Sequence, residues 1–296
     1  MSDDTPTMLA GPGPREALRW EELGRQSPAR AFRLSLTELI LHPLRFFDRM
    51  ATEGGLREPL MFFWIMSAAM ILLGFPLALA HFGLTAPDPA VVSPETYHLH
   101  LLAPRVTGFA AVLLPVILLL GGTGQVVAGT LFHLAARLFG ARNWEGSVSI
   151  WLYAKSAAGF PFVAAEALLC GVTIAAYVTT LAFPAAAPTA AQIARLCPWI
   201  LLAAGAISAA EFVVCAVSGC VRAFDLEPAN GAAAALAGTL LTALVFGGPA
   251  VGWLLRGAVG ASVAGGVAFL LVIGLAVVGS LLPVPEQGDL DENDSR

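Results

Sequence analysis

The chain has 296 residues, of which 57% are apolar and 12% charged, and its mean hydropathy is +0.76. Soluble domains carry about 25% charged residues, so this composition excludes an ordinary water-soluble globule and indicates a chain that lives in a bilayer. The net charge of −5 and the lack of a basic cluster with interleaved aromatics exclude nucleic acid as a partner.

Residues 1–58 read as a cytosolic leader. They are polar and contain no apolar run near the start, so the first span itself must target the chain. Met1 to Pro14 carries Pro6, Gly11, Pro12, Gly13 and Pro14 and is expected to be disordered. Arg15 to Gln26 reads as a short helix, punctuated by Ser27-Pro28. Phe32 to Met50 mixes Leu36, Leu39, Ile40, Phe46 and Phe47 with Arg33, Arg45 and Arg49, and Pro43 divides it into two pieces. Arginine beside paired phenylalanines suits a segment in the headgroup region. An amphipathic helix packed on the protein's own cytosolic face has the same pattern.

Residues 59–282 are expected to form an all-α, polytopic transmembrane bundle of about six spans. Pro59 to Phe82 has no Asp, Glu, Lys or Arg and is long enough to cross, since about 20 apolar residues suffice. Gly83 to Pro104 follows as a proline-rich loop with Glu95, Tyr97, His98 and His100. His-x-His spacing alone does not define a metal site, and no metal or other cofactor is expected. Val106 to Phe139 covers 34 residues, too long for one perpendicular span and too short for two with a turn. One bent span is expected, with Pro115 and the GGTG at Gly121 to Gly124 as the bend. His133, near its inner end, reads as a hydrogen-bonded structural histidine. GGTG is no phosphate loop, because no Lys-Ser/Thr follows and no strand precedes it.

A short loop, Ala141 to Gly146, leads to the third span, Ser147 to Cys170. It contains Lys155, the only lysine in the chain, and Glu166. These two are eleven positions apart, nearly on one helix face and about 16 Å apart along the axis. A charge near the membrane centre costs about 2.5–3.5 kcal/mol on insertion scales and usually faces protein or water. Lys155 is therefore either a structural or snorkelling residue or part of a site for a proton, ion or headgroup. Phe183 to Cys197 reads as an Ala/Pro-rich link. Pro198 to Val221 is the fourth span, with Glu211 inside it; Arg222 to Pro228 is a polar loop. Asn230 to Leu255 and Ala258 to Leu282 are the fifth and sixth spans. The four cysteines, Cys170, Cys197, Cys215 and Cys220, form no CxxC pair and read as small core residues.

The leader carries eight of the fifteen arginines, the first loop none before Arg105, and the second loop Arg137 and Arg142. That asymmetry puts the N-terminus in the cytoplasm, and six spans return the C-terminus to the same side. Residues 283–296 form a tail expected to be disordered, with Glu286, Asp289, Asp291, Glu292 and Asp294. In this topology Lys155 lies about 12 Å from the inner end of its helix and Glu211 about 15 Å from the inner end of the fourth. The matching depths predict that Lys155 pairs with Glu211 and not with Glu166.

Several of these features occur in a recognisable order. The leader ends in HPLRFFDRMATEGGLREPL, with a Phe pair, a Gly-Gly and a proline opening the first span. His133 ends the second span, Gly140 and Ser147 follow, and Tyr153 and Pro161 stand in the third. In this the chain, from about Leu36 to Leu255, resembles a bacterial member of the Yip family, the Ypt/Rab-interacting membrane proteins. The resemblance implies a core of about five transmembrane helices with a cytosolic N-terminal region. Eukaryotic members bind Rab-type GTPases; bacterial relatives generally lack an assigned activity. The family supplies no catalytic motif. A location in the bacterial inner membrane is expected.

The expected function is a non-enzymatic membrane scaffold or adaptor. The alternative is a small-solute or ion transporter using Lys155 and Glu211, and no HExxH, GxSxG or Ser/His/Asp arrangement favours an enzyme. Candidate partners are the lipid bilayer, a protein docking on the N-terminal region, and a second copy of the chain. The candidate polar site comprises Lys155, Glu211, Glu166, Tyr153 and His133.

Overall fold

The structure, a computed structural model, describes Leu18, Trp20 and residues 27–85, 114–183, 185 and 187–281. The described residues form α1 (Pro28–Leu41), α2 (Pro43–Arg49), α3 (Arg57–Thr85), α4 (Leu114–Ala136), a 3-10 turn (Arg137–Phe139), α5 (Trp144–Ala182), α6 (Ala187–Ala223) and α7 (Pro228–Leu281). Five helices are long and apolar enough to cross a membrane, so the fold is an all-α, multispanning bundle. Glu95, His98, His100, most of residues 1–26 and the acidic tail lie outside the described residues.

Pro43 acts as the sequence predicts. Having no N–H to donate, it starts a helix rather than continuing one, and α1 ends at Leu41. Arg49 Nη1 donates to both Glu38 carboxylate oxygens, at 2.9 and 3.1 Å, and locks α2 onto α1. Of the two readings of this segment, packing on the protein accounts for its apolar face: Leu39, Phe46, Phe47 and Met50 are buried. They join Trp20, Phe62, Ile150, Tyr153 and Cys220 in the main core. Arg222 Nε, 3.7 Å from Asp48 Oδ1, ties α2 to the end of α6.

A latch beside this core joins the start of α3 to the start of α5. Gly54 and Gly55 have φ of 121° and 100°, a region that residues with a Cβ rarely enter. Their adjacent N–H groups both donate to Glu145 Oε2, at 3.2 and 3.1 Å. Asn143 Oδ1 caps α5 by accepting from Gly146 N, while its Nδ2 donates to Thr52 O. Gly140, at φ 104°, closes the end of the second span, and the loop is shorter than the expected Ala141 to Gly146, because α5 already starts at Trp144.

One expectation changes. The Ala/Pro-rich stretch from Phe183 to Cys197 is largely helical. α6 already begins at Ala187, so the third and fourth spans are longer than their apolar cores: α5 has 39 residues and α6 has 37. Alanine is the best helix former, and Pro188 stands in the first turn of α6, where proline is tolerated. GGTG lies within the unbroken helical assignment of α4. The fifth and sixth apolar runs share one helical assignment of 54 residues. A straight helix would place Pro249 and Gly265 about 24 Å apart. A Cβ on Gly265 would instead stand 4.0 Å from Pro249 Cγ. Val272 and Leu275 also pack into the cluster that contains Leu241. The chain therefore reverses between Pro249 and Gly265, and its last apolar stretch, Ser262–Val278, returns along α4 and the first arm. That stretch is shorter than the five membrane-length helices.

Candidate functional site

The five membrane-length helices surround a cavity of about 800 Å³. α3 contributes Phe63, Met66, Ser67 and Met70, α4 contributes Gln125 and Ala128, and α5 contributes Trp151, Lys155, Gly159 and Phe162. α6 adds Ser208, Ala209 and Phe212, and α7 adds Thr239, Thr242 and Phe246. The walls are mainly apolar, and Lys155 is the only charged group among the described lining residues.

Lys155 is exposed to this space. Its Nζ stands 5.5 Å from the centroid of the Trp151 ring and 5.3 Å from that of Phe212, both within cation–π range. Trp151 is held by its own hydrogen bond, Nε1 donating to Gln125 Oε1 at 2.8 Å. Thr239 and Thr242 donate to the helical carbonyls of Ala235 and Gly238. Ser208 Oγ is buried and has no hydrogen-bond partner among the described residues.

The predicted Lys155–Glu211 pair does not form. No carboxylate of the described residues lies within ion-pair distance of Lys155, and Glu211 is not among the cavity-lining residues. Glu211 Oε1 instead lies 3.7 Å from the Cys215 thiol, one turn on along α6. Depth matching gave the right height and left the azimuth open. Successive residues on a helix are about 100° apart, and it is Phe212 that faces the lysine.

Glu166 also stands apart from Lys155. It lines a smaller cavity of about 280 Å³ with Gly74, Leu77, His81, Cys197, Pro198 and Leu201. Its setting is enclosed: Oε2 is buried and accepts no hydrogen bond among the described residues.

His133 and Tyr153 serve the architecture. His133 Nδ1 and Ser147 Oγ are 2.9 Å apart and buried, the structural role expected of this histidine. Tyr153 is fully buried, with its ring edge-on to Phe46 at 5.0 Å and Phe62 at 5.4 Å. It thereby joins α2 and α3 to α5. Sequence reasoning missed Trp151, Gln125, Phe212 and the Glu145 latch. Trp151 was findable, since it precedes Lys155 by four positions and so shares its helix face. Gln125 and Phe212 come from other helices, and no local spacing announces them. Among the described residues, no group of three or more His, Cys, Asp or Glu side chains is placed to hold a metal.

No curated protein and no solved structure shows significant similarity to the chain. The family model for the Yip1 domain matches residues 37–248, from the middle of α1 to the end of the first arm of α7. The Phe pair, the Gly-Gly latch, His133 on Ser147, and Tyr153 all lie within that match, and the chain belongs to the Yip1-domain family.

Proposed function

We propose that the protein is a non-enzymatic membrane scaffold or adaptor of the Yip type. It sits in a bacterial cytoplasmic membrane, both termini face the cytoplasm, and a protein partner docks on the α1–α2 end. One observation carries the reading: α1 and α2 form a platform fixed to the bundle, with a second face left outward. Leu39, Phe46 and Phe47 anchor it, and the clamp of Arg49 on Glu38 fixes its shape. The opposite side presents Arg33, Thr37, Leu41, Leu44 and Arg45 as exposed residues. Paired leucines beside arginines on a rigid support suit a protein contact with an apolar centre and a polar rim.

The test is a photo-crosslinking residue at position 44 of the full chain, activated in living cells. A discrete protein adduct that disappears when Leu41 is changed to Asp supports the adaptor reading. Adducts with lipid alone would reject it in favour of a platform lying in the headgroup region.

The cavity favours a second reading, movement of a small solute or ion past Lys155. Glu211 plays no part in it, because it is not among the lining residues. Flux in liposomes that is lost in Lys155→Met is its signature, and absence of flux across a panel of anions removes it.

A further inference from the structure

The cavity combines a single cation with mainly apolar walls. Lys155 supplies one positive charge with no carboxylate of the described residues within ion-pair distance, and it lines the cavity along with Ser208, whose buried hydroxyl also has no partner among the described residues. Gln125 accepts from Trp151 through Oε1, which leaves its amide N–H groups as further donors at the same wall. Met66, Met70, Phe162 and Phe246 are the larger apolar side chains of the walls away from the lysine's two rings. An ammonium in a low-dielectric setting is costly unless an anion or donor–acceptor network compensates it. Two ring faces compensate only in part.

We propose that this cavity is a binding site for an acidic amphiphile of the bilayer. Its anionic head, carboxylate or phosphate, sits on Lys155 and Ser208, and its hydrocarbon body lies along Met66, Met70, Phe162 and Phe246. A volume of about 800 Å³ falls in the range of roughly 300–1,000 Å³ typical of small-molecule sites. A zwitterionic head lacks the complement, because among the described residues no acidic side chain lines the cavity to meet its ammonium. A small soluble anion would satisfy Lys155 and leave the apolar part unfilled. Methionine walls suit a chain of variable length, being unbranched and deformable. The site is independent of the α1–α2 platform, so it stands or falls separately from the adaptor reading.

The experiment uses the full chain, delipidated in detergent and titrated with phosphatidylglycerol, phosphatidylcholine, a long-chain fatty acid and inorganic phosphate. Binding is read by native mass spectrometry and thermal shift. The wild type should bind phosphatidylglycerol and the fatty acid, and neither phosphatidylcholine nor inorganic phosphate. Lys155→Met should weaken binding of the acidic amphiphiles by about tenfold or more, the loss of one charge-assisted contact. Lys155→Arg should retain most of it. Ala209→Phe, which fills part of the cavity and keeps the cation, should also reduce binding. A photoactivatable fatty acid locates the site in the wild type without any variant. Adducts at Met66, Met70 or Phe162 support the proposal. Adducts confined to outward residues such as Leu72 and Leu240 would overturn it. So would equal binding by Lys155→Met, equal binding of phosphatidylcholine, or saturation by inorganic phosphate alone.

Discussion

At the scale of the residue, Lys155 and Glu211 illustrate what linear reasoning captures. Run length and the helical rise put them at similar heights, and the structure agrees: Phe212, the residue after Glu211, lies against the lysine. Rotation about the axis is set by packing between helices, so the facing residue was not legible. The two charges are therefore predicted to be uncoupled. In a double-mutant cycle on thermal stability in detergent, Lys155→Met and Glu211→Gln should add to within about 0.5 kcal/mol, as sites without a shared contact do. A coupling above about 1 kcal/mol would restore the direct pair. His133 is the opposite case. Its role follows from residue type and from its place at a helix end, and the bond to Ser147 supplies the partner. Removing that partner with Ser147→Ala should cost about 1–3 kcal/mol, because it leaves a buried ring nitrogen unsatisfied. A change below about 0.3 kcal/mol in the same melting assay would mean that the contact contributes nothing.

At the scale of the element, prolines and glycines carry most of the legible information. Pro43 separates α1 from α2, and Pro228 opens α7. Gly-Gly before the first span marks a turn, but not what holds it. The holder, Glu145, is about ninety positions away, and only the fold brings it there. Glu145→Ala should cost about 0.5–1 kcal/mol, because both N–H groups are exposed and exchange a charged acceptor for water. Hydrogen exchange at Gly54 and Gly55 should rise selectively, and unchanged exchange there would remove the latch. Gly129 marks a close approach of two helices. A Cβ added there would stand 3.0 Å from the Val148 Cα, a backbone atom that cannot turn aside. Gly129→Leu should therefore lower stability by about 1–3 kcal/mol through forced separation of α4 and α5. Gly129→Ala should show a smaller loss of the same sign. Helix ends were the least legible: Ala187 to Cys197 looked like a link because prolines flank it, and alanine propensity prevails between them.

At the scale of the whole molecule, composition and run length were enough for the all-α multispanning class. They also separated the last two apolar runs, and the chain doubles back between them. Leu236 and Val278, both exposed, report on this directly. Spin labels at these positions should lie within about 25 Å of each other. A straight helix would separate them by about 63 Å, and a distance distribution centred there would refute the reversal. The inner cavity was illegible. Its lining comes from five helices, and the polar members Lys155, Gln125 and Ser208 stand on three different ones, so no single span announces their meeting.

The platform made by α1 and α2 has a consequence for the order of assembly. Phe47 and its neighbours are covered by Tyr153, Cys215, Cys220 and other residues of the same core, and the last of these is made about 170 residues after Phe47. At roughly 5–20 residues per second, the ribosome needs on the order of 10–35 s to deliver them. For that interval the start of the chain holds an apolar face with no protein to cover it. Its arginines and phenylalanines then suit a temporary berth at the membrane surface. The headgroup-region character visible in the sequence thus belongs to the nascent chain, and the packed arrangement to the finished one. Ribosome-stalled chains ending before α6 should carry an N-terminal segment open to protease or surface-quenching probes, and chains extending through α6 should not.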